Sequence, residues 1–421
     1  YERDQDIGQE MMSEEERQKF IGIWEAWDPF LVHMITSLSK EPLSDDDRQI
    51  LLDTLLETRY SFITEPLDGT MKRDFVRDQF ITAWAQLSPV FRRHLGDVPC
   101  KDTLGYLAFF TASDALSALD EIGPTLGIEI SRNGLIRLAR LLGERESAVL
   151  SYSPYADPEL REVLGLGMPP DASGPTFDVD ELEIDTEETS SGEKDNHHLL
   201  LHAIMPIFCT PVWAAEKNNP AIQLDTIKPW IVSKEDLTPY LERIKTLLQN
   251  VSSDVLKKDT IAEKYHDLYR RIVLSATWQE SCFRQFKVKK GKVTYLRSYN
   301  STSVGLMQIN ERVWRGMYDT NHLRWDISYN AKAGCGIIDL YFRRYALRKM
   351  KEMKLEKSLD DDTIARLMYA MYNGGPGQFH KFLNRDKKGE YYLSDELFFE
   401  KYSWVKNHQW ENISKCLVGS E

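Results

Sequence analysis

Three short stretches in the last third of the chain carry side chains that could do chemistry. They are Glu280-Ser281 in "WQESCF", "GLMQIN" at 305–310, and Tyr372-Asn373 at the start of "YNGGPG". Glu280 ends the apolar run "RIVLSATWQE", where a charge is costly unless it is paired, solvated or neutralised. A carboxyl group among apolar side chains has a raised pKa and can donate a proton near neutral pH. We therefore predict that Glu280 is a general acid.

Together the stretches resemble the catalytic domain of the soluble lytic transglycosylases, a lysozyme-like family related to goose-type lysozyme. The family pattern is Glu-Ser at a helix end, Gly-Leu-Met-Gln, an Asn-x-x-x-Gly helix, and Ala-Tyr-Asn-x-Gly-Pro-Gly. The chain has "ES", "GLMQIN", "NAKAG" (330–334) and "AMYNGGPG" in that order. The stretch "FFEKYSWVKN" resembles the last family motif, so the likeness covers about residues 262 to 415.

The resemblance implies cleavage of the β-1,4 bond between N-acetylmuramic acid and N-acetylglucosamine in peptidoglycan. Glu280 would act first as acid and then as base, while the C6 hydroxyl of the muramic acid attacks its own C1 and gives a 1,6-anhydro product. One carboxyl group then suffices, whereas most glycosidases need two. An attacking group that is already tethered to the substrate also has most of its entropy cost met in advance.

The resemblance also assigns the supporting residues. Tyr372 is expected to hydrogen-bond and orient Glu280, and Met307 to line the floor of the site. Gly305 is expected to let the backbone approach the glycan. The expected substrate-binding residues are Ser281, Gly305, Met307, Gln308, Asn373 and Glu400. No metal and no cofactor are expected.

Some positions depart from the family pattern. Cys282 stands where the family usually has glycine, and Trp404 where it usually has tyrosine. The loop 283–303 is long and rich in lysine, so the substrate-contacting serine of the family could be Ser298, Ser301 or Ser303.

Several alternatives stay open at this point. A muramidase of the same fold would use water, and an inactive scaffold would bind peptidoglycan without cutting it. Met307 could simply be core packing, and Glu400 could simply pair with a nearby lysine. His198 and His202 are spaced like a metal pair on a helix but lack an HExxH motif. Cys282 with His322 fits no cysteine peptidase signature.

Charge is distributed unevenly along the 421 residues, whose net charge is -13. The stretch 171–195 carries -9, while 262–421 carries +9. The basic third would attract a polyanion such as a polymer that carries peptide carboxylates. We expect peptidoglycan glycan strands as the partner, no nucleic acid, and no transmembrane segment. The five cysteines show no CxxC spacing, so they leave the redox compartment open and allow at most two disulfides.

Apolar residues recur at three and four positions over most of the chain, which predicts a mainly α fold. We expect a helical N-terminal domain (1–166), an acidic flexible linker (167–197), a helical connecting segment (198–258) and a lysozyme-like catalytic domain (259–421). Helices are predicted from Ser13 and from Ser44, and further ones within 72–94, 103–122 and 133–150. Alternation in "RQFKVKKGKVTYL" (284–296) predicts one small β-hairpin in the catalytic domain.

The expected location of the protein follows from its expected substrate. Because peptidoglycan lies outside the cytoplasmic membrane, the periplasm or the cell envelope of a bacterium is expected. The chain starts at Tyr1 rather than Met, which fits the removal of an export signal. The N-terminal helical domain could serve to dock an envelope protein partner.

Overall fold

The computed structural model describes residues 14–38, 43–68, 75–94, 108–114, 132–142, 153–183, 225–233, 236–258 and 260–417. Helices dominate, as predicted. Towards the N-terminus they include α1 (Glu14–Thr36), α2 (Asp45–Asp68), α3 (Phe75–His94), α4 (Arg132–Leu142) and α5 (Pro158–Val163). Those that follow are α6 (Leu237–Leu256), α7 (His266–Ser281), α8 (Thr320–Trp325), α9 (Ile327–Leu340), α10 (Arg348–Glu352), α11 (Asp361–Gly374), α12 (Gln378–Asp386), α13 (Leu393–Lys406) and α14 (Ser414–Leu417).

The N-terminal helices form where the apolar spacing predicts them. Over the side chains that the structure describes, the apolar face of α1 is buried, with Trp27, Phe30 and Leu31 fully enclosed. Three aspartates fill the first turn of α2, where the helix dipole favours negative charge. Residues 108–114 are helical within the predicted 103–122 segment, and α4 begins the predicted 133–150 segment. The capping residue Ser13 lies outside the described residues.

The predicted hairpin is confirmed. Strands β2 (Phe286–Lys289) and β3 (Lys292–Tyr295) pair in antiparallel register, with Val288 opposite Val293. A third strand, β1 (Leu182–Glu183), pairs with the other edge of β3 and was not expected. A second small sheet joins β4 (Ser303–Val304) to β5 (Ile309–Asn310).

The expectation of a flexible linker is wrong for residues 167–183, which pack on the C-terminal region. The backbone N–H groups of Ser173 and Gly174 donate to the carboxylate of Asp326 at 3.0 and 2.6 Å. The Phe177 ring lies 5.0 Å from the Trp325 ring, measured between centroids. Residues 184–197 lie outside the described residues.

Opposite charges explain why this acidic segment packs on the C-terminal region. Asp180 accepts a hydrogen bond from the Tyr295 hydroxyl and lies 3.3 Å from the Arg297 guanidinium. Glu181 lies 3.5 Å from the Lys292 ammonium group. Acidic composition resembles that of a linker, but here it is complementary to the basic region that it contacts.

The expected connecting segment also belongs to the C-terminal core in its described part. Helix α6 packs against α7 and α9, and the buried Tyr240 hydroxyl donates to the carbonyl of Phe283 at 2.7 Å. The apolar run 199–213 lies outside the described residues. Among the helices that the structure describes, none has the length and hydropathy needed to cross a membrane.

One buried guanidinium joins the N-terminal helices to the C-terminal region. Arg59 on α2 is fully buried, and its Nε lies 2.7 Å from a carboxylate oxygen of Asp28 on α1. Its Nη1 donates to the carbonyls of Val313 and Arg315 at 2.8 and 2.9 Å. All of these partners are buried, so the loss of Arg59 would leave a carboxylate and two carbonyls without this donor.

We expect Arg59→Met to lower the free energy of unfolding by about 3 kcal/mol, because breaking the buried ion pair leaves Asp28 with only its longer contact to Arg315, at 3.4 Å. Urea titration followed by tryptophan fluorescence measures this. Arg92→Met is the matched control, since Arg92 forms an exposed pair with Asp114 and should cost under about 1 kcal/mol. Equal losses in the two variants would contradict the role given to Arg59.

Candidate active site

Glu280 lies in the last turn of α7. The helix ends at once, because Cys282 and Phe283 take left-handed conformations with φ of 52° and 61°. Most of the helix is buried, including Trp278 and Thr277 just before Glu280. The Glu280 side chain is half-buried, so it keeps some accessible surface at the end of a buried helix.

Burial raises the pKa of the Glu280 carboxyl group to about 7. A hydrogen bond from the Tyr369 hydroxyl to Glu280 Oε1, 2.9 Å long, acts in the opposite direction and lowers the pKa. The C-terminal end of a helix also carries partial negative charge, which disfavours a carboxylate there. Glu280 can therefore hold a proton near neutral pH and release it there, as a general acid must.

The expectation that Tyr372 forms a hydrogen bond with Glu280 is wrong. Tyr372 instead donates its hydroxyl to the carbonyl of Met307 at 2.6 Å. Tyr369, one turn earlier on α11, makes the bond to Glu280. Residues three apart lie on one face of a helix, so Tyr369 could have been found from "YAMY", but the motif directs attention to the second tyrosine.

Tyr372 remains close to the carboxyl group even so. Its pKa is raised well above the usual value by burial and, as a smaller cause, by the charge of Glu280. Through the bond to Met307 it ties α11 to the 305–308 loop. Its position is thus beside the site, and its hydroxyl fixes the loop rather than the acid.

Ser281 also fixes that loop, which corrects its expected role as a substrate contact. Its side chain is buried, and its hydroxyl donates to the carbonyl of Leu306. It accepts a hydrogen bond from the backbone N–H of Arg284 at 3.1 Å. No surface is left for a sugar, so Ser281 positions the loop against the end of α7.

Two buried amides complete the support of the loop, and only one of them belongs to a family motif. Gln285 accepts from the N–H of Leu306 at 2.7 Å and donates to the carbonyl of Arg324 at 2.7 Å. Asn330, the first residue of "NAKAG", accepts from the N–H of Met307 at 2.9 Å. Gln285 was missed, because one glutamine in a polar loop gives no signal in the sequence.

Gly305 is buried and has a different role from the expected one. Its φ is +76°, and a Cβ there would lie 2.6 Å from Gln285 Oε1 and would also meet the Asn330 amide. The missing side chain makes room for these two amides rather than for a glycan. Met307 is likewise fully buried and packs on Gly334, so it belongs to the core.

Gln308 and Asn373 keep accessible surface. Gln308 is half-buried, and its Nε2 donates to the carbonyl of Gly305 at 2.8 Å. Asn373 is exposed directly after Tyr372. A tight turn follows, since Gly375 caps α11 with φ of +85°. These two amides remain candidates for contacts with the N-acetyl groups of a sugar.

Glu400 lies on α13, and its side chain is 49% exposed. Its carboxylate pairs with Lys401 at 2.7 Å, which is the simple ion pair that the sequence left open. Helix α13 packs along α7, and the Trp404 ring lies 5.3 Å from the Trp278 ring. The helix therefore supports α7, whereas Glu400 itself faces solvent.

A disulfide joins Cys282 to Cys416, and Cys335 is a buried free thiol among the described residues. Position 282 has a left-handed conformation, which glycine adopts most easily. In this chain a cysteine takes that conformation and ties α14 to the end of the Glu280 helix. The Trp410 ring, just before α14, stacks on the Trp278 ring at 5.8 Å.

Within the described ranges no group of three His, Cys, Asp or Glu side chains could hold a metal ion. His198 and His202 lie outside those ranges. No family model, no curated protein and no solved structure matches the chain. Function therefore has to be inferred from the residues of the site.

We expect Tyr369→Phe to raise the pKa of Glu280 further, because the lost hydrogen bond favours the charged carboxylate. The pKa can be followed by NMR on protein labelled with ¹³C at the glutamate carboxyl, with Glu280→Gln identifying the signal. Tyr372→Phe is the matched control and should leave that pKa near its starting value. A larger shift in Tyr372→Phe than in Tyr369→Phe would reverse the assignment.

Stability should depend on pH through the same carboxyl group. Its folded-state pKa of about 7 exceeds the ordinary value of 4.5. The stabilising proton is therefore fully held below pH 4.5 and is lost as pH rises through 7. We expect Glu280→Gln, which cannot ionise, to gain about 2 kcal/mol in free energy of unfolding relative to wild type between pH 5 and pH 8.

Urea titrations at the two pH values measure this gain. The control is Glu352→Gln, whose side chain is 63% exposed and pairs with Arg348. A gain no larger than that of the control would mean that Glu280 is ionised in the folded protein at pH 5.

Proposed function

We propose that the protein is a lytic transglycosylase that cuts the β-1,4 bond between N-acetylmuramic acid and N-acetylglucosamine of peptidoglycan without using water. The observation that carries the proposal is a single half-buried glutamate with a pKa of about 7, held by a tyrosine hydroxyl at 2.9 Å. Such a group protonates the leaving oxygen and then accepts a proton from the attacking hydroxyl.

The surroundings of Glu280 support an attacking group that comes from the substrate. Burial and the Tyr369 hydrogen bond account for its pKa, and in the described part of the chain no second carboxylate adds to the shift. Glycosidases that use an enzyme nucleophile or activate a water place two carboxyl groups roughly 5 to 10 Å apart. This observation favours the C6 hydroxyl of the muramic acid as the nucleophile.

Two amides and a basic region give the site its means of recognition. Gln308 and Asn373 keep accessible surface and offer both donors and acceptors to N-acetyl groups. The basic C-terminal third is complementary to the carboxylates of the peptide stems. This substrate implies a location in the periplasm or the cell envelope of a bacterium.

A muramidase of the same fold is the second candidate, because it would use the same acid. The two differ in product: the anhydro sugar is lighter than the hydrolytic product by one water. An inactive peptidoglycan-binding scaffold is a third candidate, and the raised pKa of Glu280 argues against it, since binding alone does not need a neutral acid.

We expect Glu280→Gln to lose about 10²-fold or more of its turnover on purified sacculi while it still binds them, since the amide cannot transfer the proton. Glu352→Gln, with its exposed carboxylate, serves as the control and should keep wild-type turnover. Mass spectrometry of the soluble products distinguishes anhydro from reducing ends. Reducing ends would favour the muramidase, and unchanged turnover in Glu280→Gln would exclude Glu280 as the acid.

A further inference from the structure

Helix α2 of the N-terminal region reaches the surroundings of Glu280. Its position is fixed by Arg59, whose guanidinium donates to the carbonyls of Val313 and Arg315. The next residue, Tyr60, is half-buried and therefore keeps part of its surface accessible. A residue from the first domain thus lies against the region that carries the catalytic motifs.

The Tyr60 ring packs directly on the turn that follows Tyr372. A Cβ added to Gly375 would lie 2.5 Å from Cδ2 of Tyr60 and 2.8 Å from its Cε2. The ring therefore occupies the space where any other residue would place its side chain. Since Gly375 ends α11, this contact sets where the exposed Asn373 and the tyrosines of α11 stand relative to Glu280.

The hydroxyl of Tyr60 is fixed as well. It lies 3.0 Å from the hydroxyl of the fully buried Tyr341. Tyr341 begins a π-helical stretch, Tyr341–Leu347, that packs against α11. Such stretches recur at functional sites. One ring contact and one hydrogen bond therefore hold Tyr60 between two elements of the site.

Tyr60 is also close enough to Glu280 for the two groups to interact electrostatically. The pKa of Tyr60 is raised to about 12 by burial, with the charge of Glu280 as a smaller cause. Tyr369 and Tyr372 of α11 are influenced by the same carboxylate. Of these three tyrosines, Tyr369 is the one whose hydroxyl bonds the acid.

We infer that Tyr60 is a positioning residue of the Glu280 site: its ring supports the turn at Gly375 and thereby helps to keep water away from the carboxyl group. This inference deepens the proposed function and rests on it for its effect on turnover. Its effect on Glu280 itself can be measured in the intact protein without any substrate.

The test compares Tyr60→Ala and Tyr60→Phe in the full chain, with Tyr155→Ala as the matched control. Tyr155 is 61% exposed and stands in another part of the chain. Two quantities are measured: the pKa of Glu280 by ¹³C NMR of the carboxyl group, and turnover on purified sacculi as a function of pH. If Tyr60→Ala loses its native circular dichroism, Tyr60→Leu replaces it.

In Tyr60→Ala we expect the pKa of Glu280 to fall toward its ordinary value, because water reaches the carboxyl group. The alkaline limb of the pH profile should move to lower pH, and turnover should fall about tenfold through misplacement of the turn. Tyr60→Phe keeps the ring and should stay near wild type in both measurements, and so should Tyr155→Ala.

Two results would overturn the inference: an unchanged pKa of Glu280 in Tyr60→Ala, whatever happens to turnover, or an equal fall in Tyr155→Ala. If the pKa falls in Tyr60→Ala alone while the wild-type protein cuts no sacculi, the positioning role of Tyr60 stands and the proposed function fails.

Discussion

A carboxyl group enclosed at the C-terminal end of a helix is the constraint on which the site depends. Burial makes the ionised form of Glu280 costly, by about 3 kcal/mol for a pKa near 7. The neutral form removes that cost, so the fold tolerates the group as an acid. The Tyr369 hydroxyl keeps the ionised form accessible, since it donates to the carboxylate at 2.9 Å. Burial and one hydrogen bond thus place the pKa of Glu280 near neutral pH, where the group can both donate and accept a proton.

The 305–308 loop is held in place by contacts that the sequence motif does not reveal. Its backbone groups are bonded to buried side chains: Leu306 to Ser281 and Gln285, and Met307 to Asn330 and Tyr372. A buried backbone group without a hydrogen-bond partner would lower the free energy of unfolding by about 1 to 3 kcal/mol. Each of these bonds therefore provides a backbone group with a partner and also holds the loop in place. Three of the residues that sequence likeness marks as substrate contacts, Ser281, Gly305 and Met307, are therefore buried parts of the loop and its support. The other three, Gln308, Asn373 and Glu400, keep accessible surface.

Structural features that depend on neighbouring residues in the chain could be predicted from local sequence patterns. The apolar spacing gave the helical character, the alternation around Gly291 gave the hairpin, and the end of an apolar run identified Glu280 as an unusual carboxyl group. Contacts between distant parts of the chain escaped prediction. Tyr369 and Tyr372 are equally placed on one helix face, so only the packing of α11 on α7 decides which one meets Glu280. The acidic segment 167–183 has linker composition, and its order comes from basic partners more than a hundred residues later.

The same long-range contacts make the N-terminal helices part of the framework around Glu280 rather than an appendage. Arg59 satisfies the carbonyls of Val313 and Arg315, which precede the helices α8 and α9, and it neutralises Asp28 in the same buried place. Asn330 on α9 in turn bonds the 305–308 loop. A displacement of α2 would take Arg59 away from the buried polar groups that it bonds. The same displacement would loosen the turn at Gly375, on which Tyr60 packs. Residues that stand more than two hundred positions before Glu280 thus bond to the same C-terminal region that carries it.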